Sequence, residues 1–209
     1  MMKRYSSVSF ESNPAQTVMR DGWEVVLAYE DEGVGPFVVD LSHTAKWDIQ
    51  ATDLSQIQPQ GMNIPEVPGA CVLGKGMLIN RMNQTQASVW HLSDKTLQIP
   101  DETAYTDITE GFSLLGFLGQ EVFPIMEKIT ALDLQSPRKQ RPFLLQGPVL
   151  HIPCQVAVLE KDAVVLGFSR GYAQSVVEAI LEAGQQWGIQ PAGELAFSGY
   201  IQNHFASLS

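Results

Sequence analysis

Apolar and polar residues alternate in short runs along most of this chain, and the runs are too brief for helices. Residues 23–29, 37–39, 46–49, 70–73, 77–82, 87–92, 113–118, 155–159 and 163–168, with Val149-Leu150, read as strands. Only Gly74-Lys75-Gly76 and Asn83-Gln84-Thr85-Gln86 separate the runs 70–73, 77–82 and 87–92, which predicts an antiparallel meander. Lys161-Asp162 predicts a hairpin turn. Helical spacing occurs twice. Val122, Ile125, Met126 and Ile129 share one face of a helix over 122–132, so Pro124 must lie in its first turn or kink it. Val176, Val177, Ile180, Leu181 and Gly184 form the second stripe, with Ser169 as N-cap and Gly188 as the stop. Thr52 or Asp53 caps a short helix through Leu54 and Ile57.

The fold class this predicts is α+β, two ferredoxin-like or related lobes, each a small antiparallel sheet with helices on one face. Residues 1–20 are polar and small, and read as a flexible arm. Pro59, Pro65 and Pro68 form a connector, and the polar stretch 93–102 divides a single 1–209 unit into lobes of about 22–99 and 104–200. Val39-Asp40-Leu41-Ser42 and Thr106-Asp107-Ile108-Thr109 are similar openings that fit a duplication.

With 209 residues and 44% hydrophobic content, the chain closes a core without metal or disulfide. Cys71 and Cys154 lie in apolar runs and read as buried thiols. A formal charge of −10 repels phosphate backbones, which argues against nucleic acid and anionic membranes as partners. The expected location is the cytoplasm, since the residues after Met1-Met2-Lys3-Arg4 are too polar for a signal core and no apolar run approaches ~20 residues.

Candidate chemistry is sparse. Asp40, Ser42 and His43 are the residue types of a hydrolase triad, but on an extended strand His43 points away from the other two. His151 and Cys154 have a metal-like gap, with His43, His91, His204 and Cys71 too scattered to complete a site. The run Pro137 to Pro142 holds the only basic cluster, read as a solvated loop. A flat heterocycle such as a pterin or flavin would need one or two of Trp23, Trp47, Trp90 and Trp187 along a pocket, and the sequence does not choose among them.

Several collinear segments resemble the folate-linked glycine cleavage T-protein superfamily and, within it, the sarcosine oxidase gamma subunit. Val39-Asp40-Leu41-Ser42-His43-Thr44 is similar to the T-protein Asp-Val-Ser-His-Met stretch, and Gly61-Met62-Asn63-Ile64-Pro65-Glu66-Val67-Pro68 to a Gly-x-x-Leu-Pro-x-x-Pro passage of gamma subunits. Asp107-Ile108-Thr109, Leu115-Gly116-Phe117-Leu118-Gly119 and Ile129-Thr130-Ala131-Leu132-Asp133-Leu134 resemble a segment both share. Phe168-Ser169-Arg170-Gly171-Tyr172-Ala173 and Gly188-Ile189-Gln190-Pro191-Ala192-Gly193 resemble later motifs, so the likeness spans most of 38–193.

The departures matter as much. Where the T-protein's Gly-Gly-x-x-Asp-Asp supplies its aspartate, Ile79 and Asn80 stand here. The glutamate loop falls near Leu159-Glu160-Lys161-Asp162, and the later arginine-bearing stretch is replaced by Glu194-Leu195-Ala196-Phe197. The resemblance therefore implies a chain with no catalytic residues and no metal, an accessory subunit that packs against a protein partner or a second copy. The alternatives are a compact tetrahydrofolate-dependent aminomethyltransferase and a folate- or pterin-binding module, with Asp107, Glu160 and Asp162 as the candidate cofactor-binding carboxylates.

Overall fold

The computed structural model describes residues 3–94 and 97–205. Thirteen strands among these residues form three sheets. β1 (Pro14–Arg20) and β2 (Trp23–Tyr29) make a two-stranded ribbon. A six-stranded sheet has the order β10-β11-β12-β9-β3-β13, from β3 (Phe37–Asp40), β9 (Phe112–Leu118), β10 (Phe143–Val149), β11 (Ile152–Glu160), β12 (Ala163–Ser169) and β13 (Gln190–Ala192). A five-stranded sheet has the order β5-β6-β7-β4-β8, from β4 (Lys46–Gln50), β5 (Cys71–Gly74), β6 (Met77–Arg81), β7 (Gln86–His91) and β8 (Tyr105–Asp107). All pairings are antiparallel except β13 with β3. The α+β expectation and the 70–92 meander hold.

Period-two alternation explains the layers. Leu115 and Phe117 of β9, Val156 and Val158 of β11 and Val164, Leu166 and Phe168 of β12 face α1 (Val122–Glu127) and α2 (Ala173–Gly184) in one core. Leu114, Leu118, Ala157, Leu159 and Val165 face the other way. There they meet Leu78 and Trp90 of the five-stranded sheet and Phe197 of α3 (Glu194–Phe205). A third core on the outer side of the five-stranded sheet joins Trp47, Ile49, Ile79 and Val89 to Leu54 and Ile64. Helices therefore cover only the six-stranded sheet. The outer face of the other is closed by chain that holds only two single 3-10 turns, Leu54–Gln56 and Pro59–Gly61, because Pro59, Pro65 and Pro68 leave no room for an α-helix in 54–68.

Several local expectations change. Residues 14–20 of the expected arm form β1, because Asp21 (φ 50°) and Gly22 (φ 86°) make a tight turn that folds β1 onto β2, and Val8 is buried in the core beneath the helices. The first helix ends at Glu127, short of residue 132. The Ile129 carbonyl accepts from the Leu150 N–H at 2.9 Å, and Thr130 Oγ1 donates to the Pro148 carbonyl at 2.8 Å, so β10 captures the chain. Leu150 and His151 are a turn with φ of 52° and 66°, the strand being β10 before it. Ser169 does not cap α2, since a single 3-10 turn (Arg170–Tyr172) intervenes. Asp53 does cap a short 3-10 turn (Leu54–Gln56), accepting from the Ser55 N–H at 2.9 Å, and Gly188 ends the second helical segment in the left-handed region.

The halves also interleave. β3 precedes residues 93–102 yet pairs with β9, and β8 follows them yet pairs with β4. No helix among the described residues is long and apolar enough to cross a membrane.

Candidate functional site

Three places carry the polar chemistry of the fold. The first is Ile79 and Asn80 on β6, the pair that the sequence resemblance sets against the T-protein carboxylates. Both side chains are fully buried. Alternation sends Ile79 into the outer core and Asn80 between the two large sheets. Asn80 Nδ2 donates to Ser88 Oγ at 3.2 Å, and Asn80 Oδ1 accepts from Cys71 Sγ at 3.0 Å. Separately, Gln146 Nε2 of β10 donates to the Met82 carbonyl at 2.7 Å. Burial raises the Cys71 thiol well above its ordinary value, so it stays protonated and serves as that donor. The amide is thus satisfied by neutral partners. A carboxylate here would lose water without gaining a cation.

The second place is a knot tying β1, the turn after β3 and α3. Glu194, the first residue of α3, takes both arms of the Arg20 guanidinium, Nη1 to Oε1 at 2.5 Å and Nη2 to Oε2 at 2.9 Å. His43 Nε2 lies 2.9 Å from the same Oε1. Burial works against the charge of Glu194, but the hydrogen bonds from His43 and Arg20 outweigh it and hold the carboxyl at about 2. The helix N-terminus adds favourable field. Beneath it Lys46 is fully buried, its Nζ donating to the Ser42 and Thr44 carbonyls at 2.7 Å each, and burial brings its pKa down to about 7. His91 is buried too, edge-on to Trp47 at 4.4 Å, and held neutral by burial and the charge of Lys46, at about 4. Ser42 and His43 do not pair. Ser42 Oγ points to the Leu114 carbonyl at 3.5 Å while His43 turns to Glu194, so no nucleophile–base couple forms.

Around this knot open two clefts that share Arg4, Trp23 and His43. The larger, about 410 Å³, runs under the N-terminal segment to Asp40. The smaller, about 270 Å³, includes Arg20, Thr109 and Asp107. Trp23 is therefore the tryptophan that a pocket takes, whereas Trp47 and Trp90 belong to cores. Asp107 lines the smaller cleft and accepts from the Thr109 N–H at 2.8 Å.

The third place holds the other two candidate carboxylates. Glu160 and Asp162 flank the β11–β12 turn, where Asp162 accepts from the Tyr200 hydroxyl of α3. Asp162 precedes β12, whose opposite end, Ser169, pairs with Phe112 near Thr109. The seven residues of β12 span roughly 20 Å, so the fold does not bring Asp107 together with Glu160 and Asp162. Among the described residues no group of three or more His, Cys, Asp or Glu could hold a metal ion. Arg20 and His43 lie 174 and 151 positions from Glu194, so no local pattern announces their meeting, and Lys46 bonds carbonyls only four and two positions away in a turn that the strand reading of 46–49 does not show.

No family model and no curated protein match the sequence. Solved structures do. A chain of the heterotetrameric sarcosine oxidase from Corynebacterium sp. U-96, in complex with pyrrole 2-carboxylate, superposes with a TM-score of 0.63 at 12% identity, over 75% of this chain and 88% of that one. The glycine cleavage system aminomethyltransferase T from Bartonella henselae gives 0.53 at 13% identity, over 88% of this chain and 57% of that one. The chain thus spans a little over half of the aminomethyltransferase. At such identities the likeness is one of architecture, and by fold the chain stands with the glycine cleavage T-proteins and heterotetrameric sarcosine oxidase.

Proposed function

We propose that the chain is a non-catalytic accessory subunit, similar to the sarcosine oxidase gamma subunit, serving folate-linked one-carbon or amine-oxidation metabolism in the cytoplasm. The observation that carries this reading is Asn80, a neutral amide sealed between two sheets where the resemblance would need a charged, reachable carboxylate. Neither cleft is lined by it. The fold-level likeness to a chain of a heterotetramer supports a protein partner.

A second reading keeps a ligand. Asp107, Arg20, Arg4 and Trp23 together line the smaller cleft, which supports a folate- or pterin-binding module, or a compact aminomethyltransferase with Asp107 meeting a developing cation. Titration of the purified chain with tetrahydrofolate separates them. The accessory subunit is expected to give no saturable binding and to co-purify with larger oxidase subunits. Saturable binding favours the module, and turnover of an aminomethyl donor favours the enzyme.

A further inference from the structure

The larger cleft differs in chemistry from the smaller one. Tyr5, Phe10, Trp23 and Tyr29 line it, and Phe10 meets Tyr29 edge to face at 6.0 Å. Two of these rings already hold cations of the chain itself, Lys3 Nζ lying 5.1 Å from the Tyr5 centroid and the Arg170 guanidinium 5.5 Å from that of Trp23. Other charges at the rim cancel in pairs, Arg4 with Glu110 at 2.8 Å and Glu24 with Lys3 at 3.5 Å.

Asp40 is the exception. This half-buried carboxylate accepts from the Ser6 hydroxyl and from the Ser42 N–H at 2.9 Å, both neutral donors. Among the described residues no Lys, Arg or His forms an ion pair with it. Lys46 attracts it only at longer range, sealed off and bonded to carbonyls. Burial first, then the charges of Asp40 and Glu32, push the Tyr29 hydroxyl above its usual range, so the field here is negative. A carboxylate lacking a cation, beside aromatic rings in a cleft of ligand size, suits a positively charged organic guest. The net charge of −10 adds long-range attraction.

The geometry points to this cleft as a binding site for a small alkylammonium ion, its charge met by Asp40 and its alkyl groups packed on Phe10 and Tyr29. The two clefts share Arg4, Trp23 and His43, but Asp40, Phe10 and Tyr29 line only this one and its ligand carries the opposite charge, so the choline test is read separately from the folate titration.

The test uses choline and its neutral isostere 3,3-dimethylbutan-1-ol, in calorimetric titrations of the full chain at low salt. Choline is expected to bind saturably at millimolar concentration and the alcohol not to bind. Asp40→Asn keeps an acceptor for Ser42 and should weaken choline by about tenfold, with Phe10→Leu weakening it by a smaller factor. Absence of saturable choline binding overturns the assignment, as does equal binding of the alcohol. So does a folded Asp40→Asn that binds choline unchanged. Should that variant fail to fold, ring-proton shifts of Phe10 and Tyr29 in the unaltered protein decide, and their silence under saturating choline is equally fatal.

Discussion

Glu194 is an acid in a nearly sealed place, and its ionisation depends on two residues from distant parts of the chain. Its carboxyl is held at about 2 against an ordinary 4.5. Because the folded value is depressed, the stability it contributes is complete above the unfolded value. That stability is lost as pH falls from about 4.5 toward about 2. Glu194→Gln should lower stability near neutral pH by about 2 kcal/mol, since Arg20 and His43 lose a charged partner. The variant should also show a shallower acid limb in urea denaturation. An acid limb as steep as that of the unaltered protein would contradict this account. Nothing local in the sequence marks Glu194, since Arg20 lies 174 positions away.

At the level of elements, α3 depends on close approach. Gly193, just before it, lies so near β2 that a Cβ would stand 2.2 Å from the Leu27 carbonyl carbon and oxygen, which are backbone and cannot turn aside. Glu32 Oε1 accepts from the Gly193 N–H at 2.7 Å and fixes the same contact. Gly193→Ala should therefore cost about 3 kcal/mol, read as a lower midpoint in thermal or urea unfolding. A variant as stable as the parent would show that this approach is not needed. The α3 sequence hides its own helix. Leu195 is half exposed while Phe197 is buried against Gly116, so apolar residues do not gather in one stripe. By contrast α2 announces itself, its stripe of Val176, Val177 and Ile180 being the face that packs.

The whole molecule is held by strand exchange between halves. β3 contributes Val38 and Val39 to the two faces of the six-stranded sheet, and β8 closes the edge of the five-stranded sheet through Trp47 and Ile49 on β4. Trp90 is fully buried in the core between the sheets. Unfolding should thus be one cooperative transition. Fragments divided within residues 93–102 should each lack a sheet neighbour and stay unfolded alone. Circular dichroism of the separate fragments tests this, and a native-like spectrum with a sharp melt from the second half by itself would refute it.

The linear order of residues determined the α+β class, the 70–92 meander, the Lys161-Asp162 turn, the long helix of the second half and the uncharged side chains at Ile79 and Asn80. Each of these depends on neighbours within a few positions, where periodicity and turn chemistry act directly. Tertiary structure alone decided that Pro14–Arg20 becomes a strand, that β3 and β8 change sides, and that Asp107 parts from Glu160 and Asp162. It also decided that Arg20, His43 and Glu194 meet and that Asp40 lines one cleft with Phe10 and Tyr29. The physical reason is the same throughout. Long-range pairing and desolvation are properties of what the fold brings together, and no local window of sequence contains both partners.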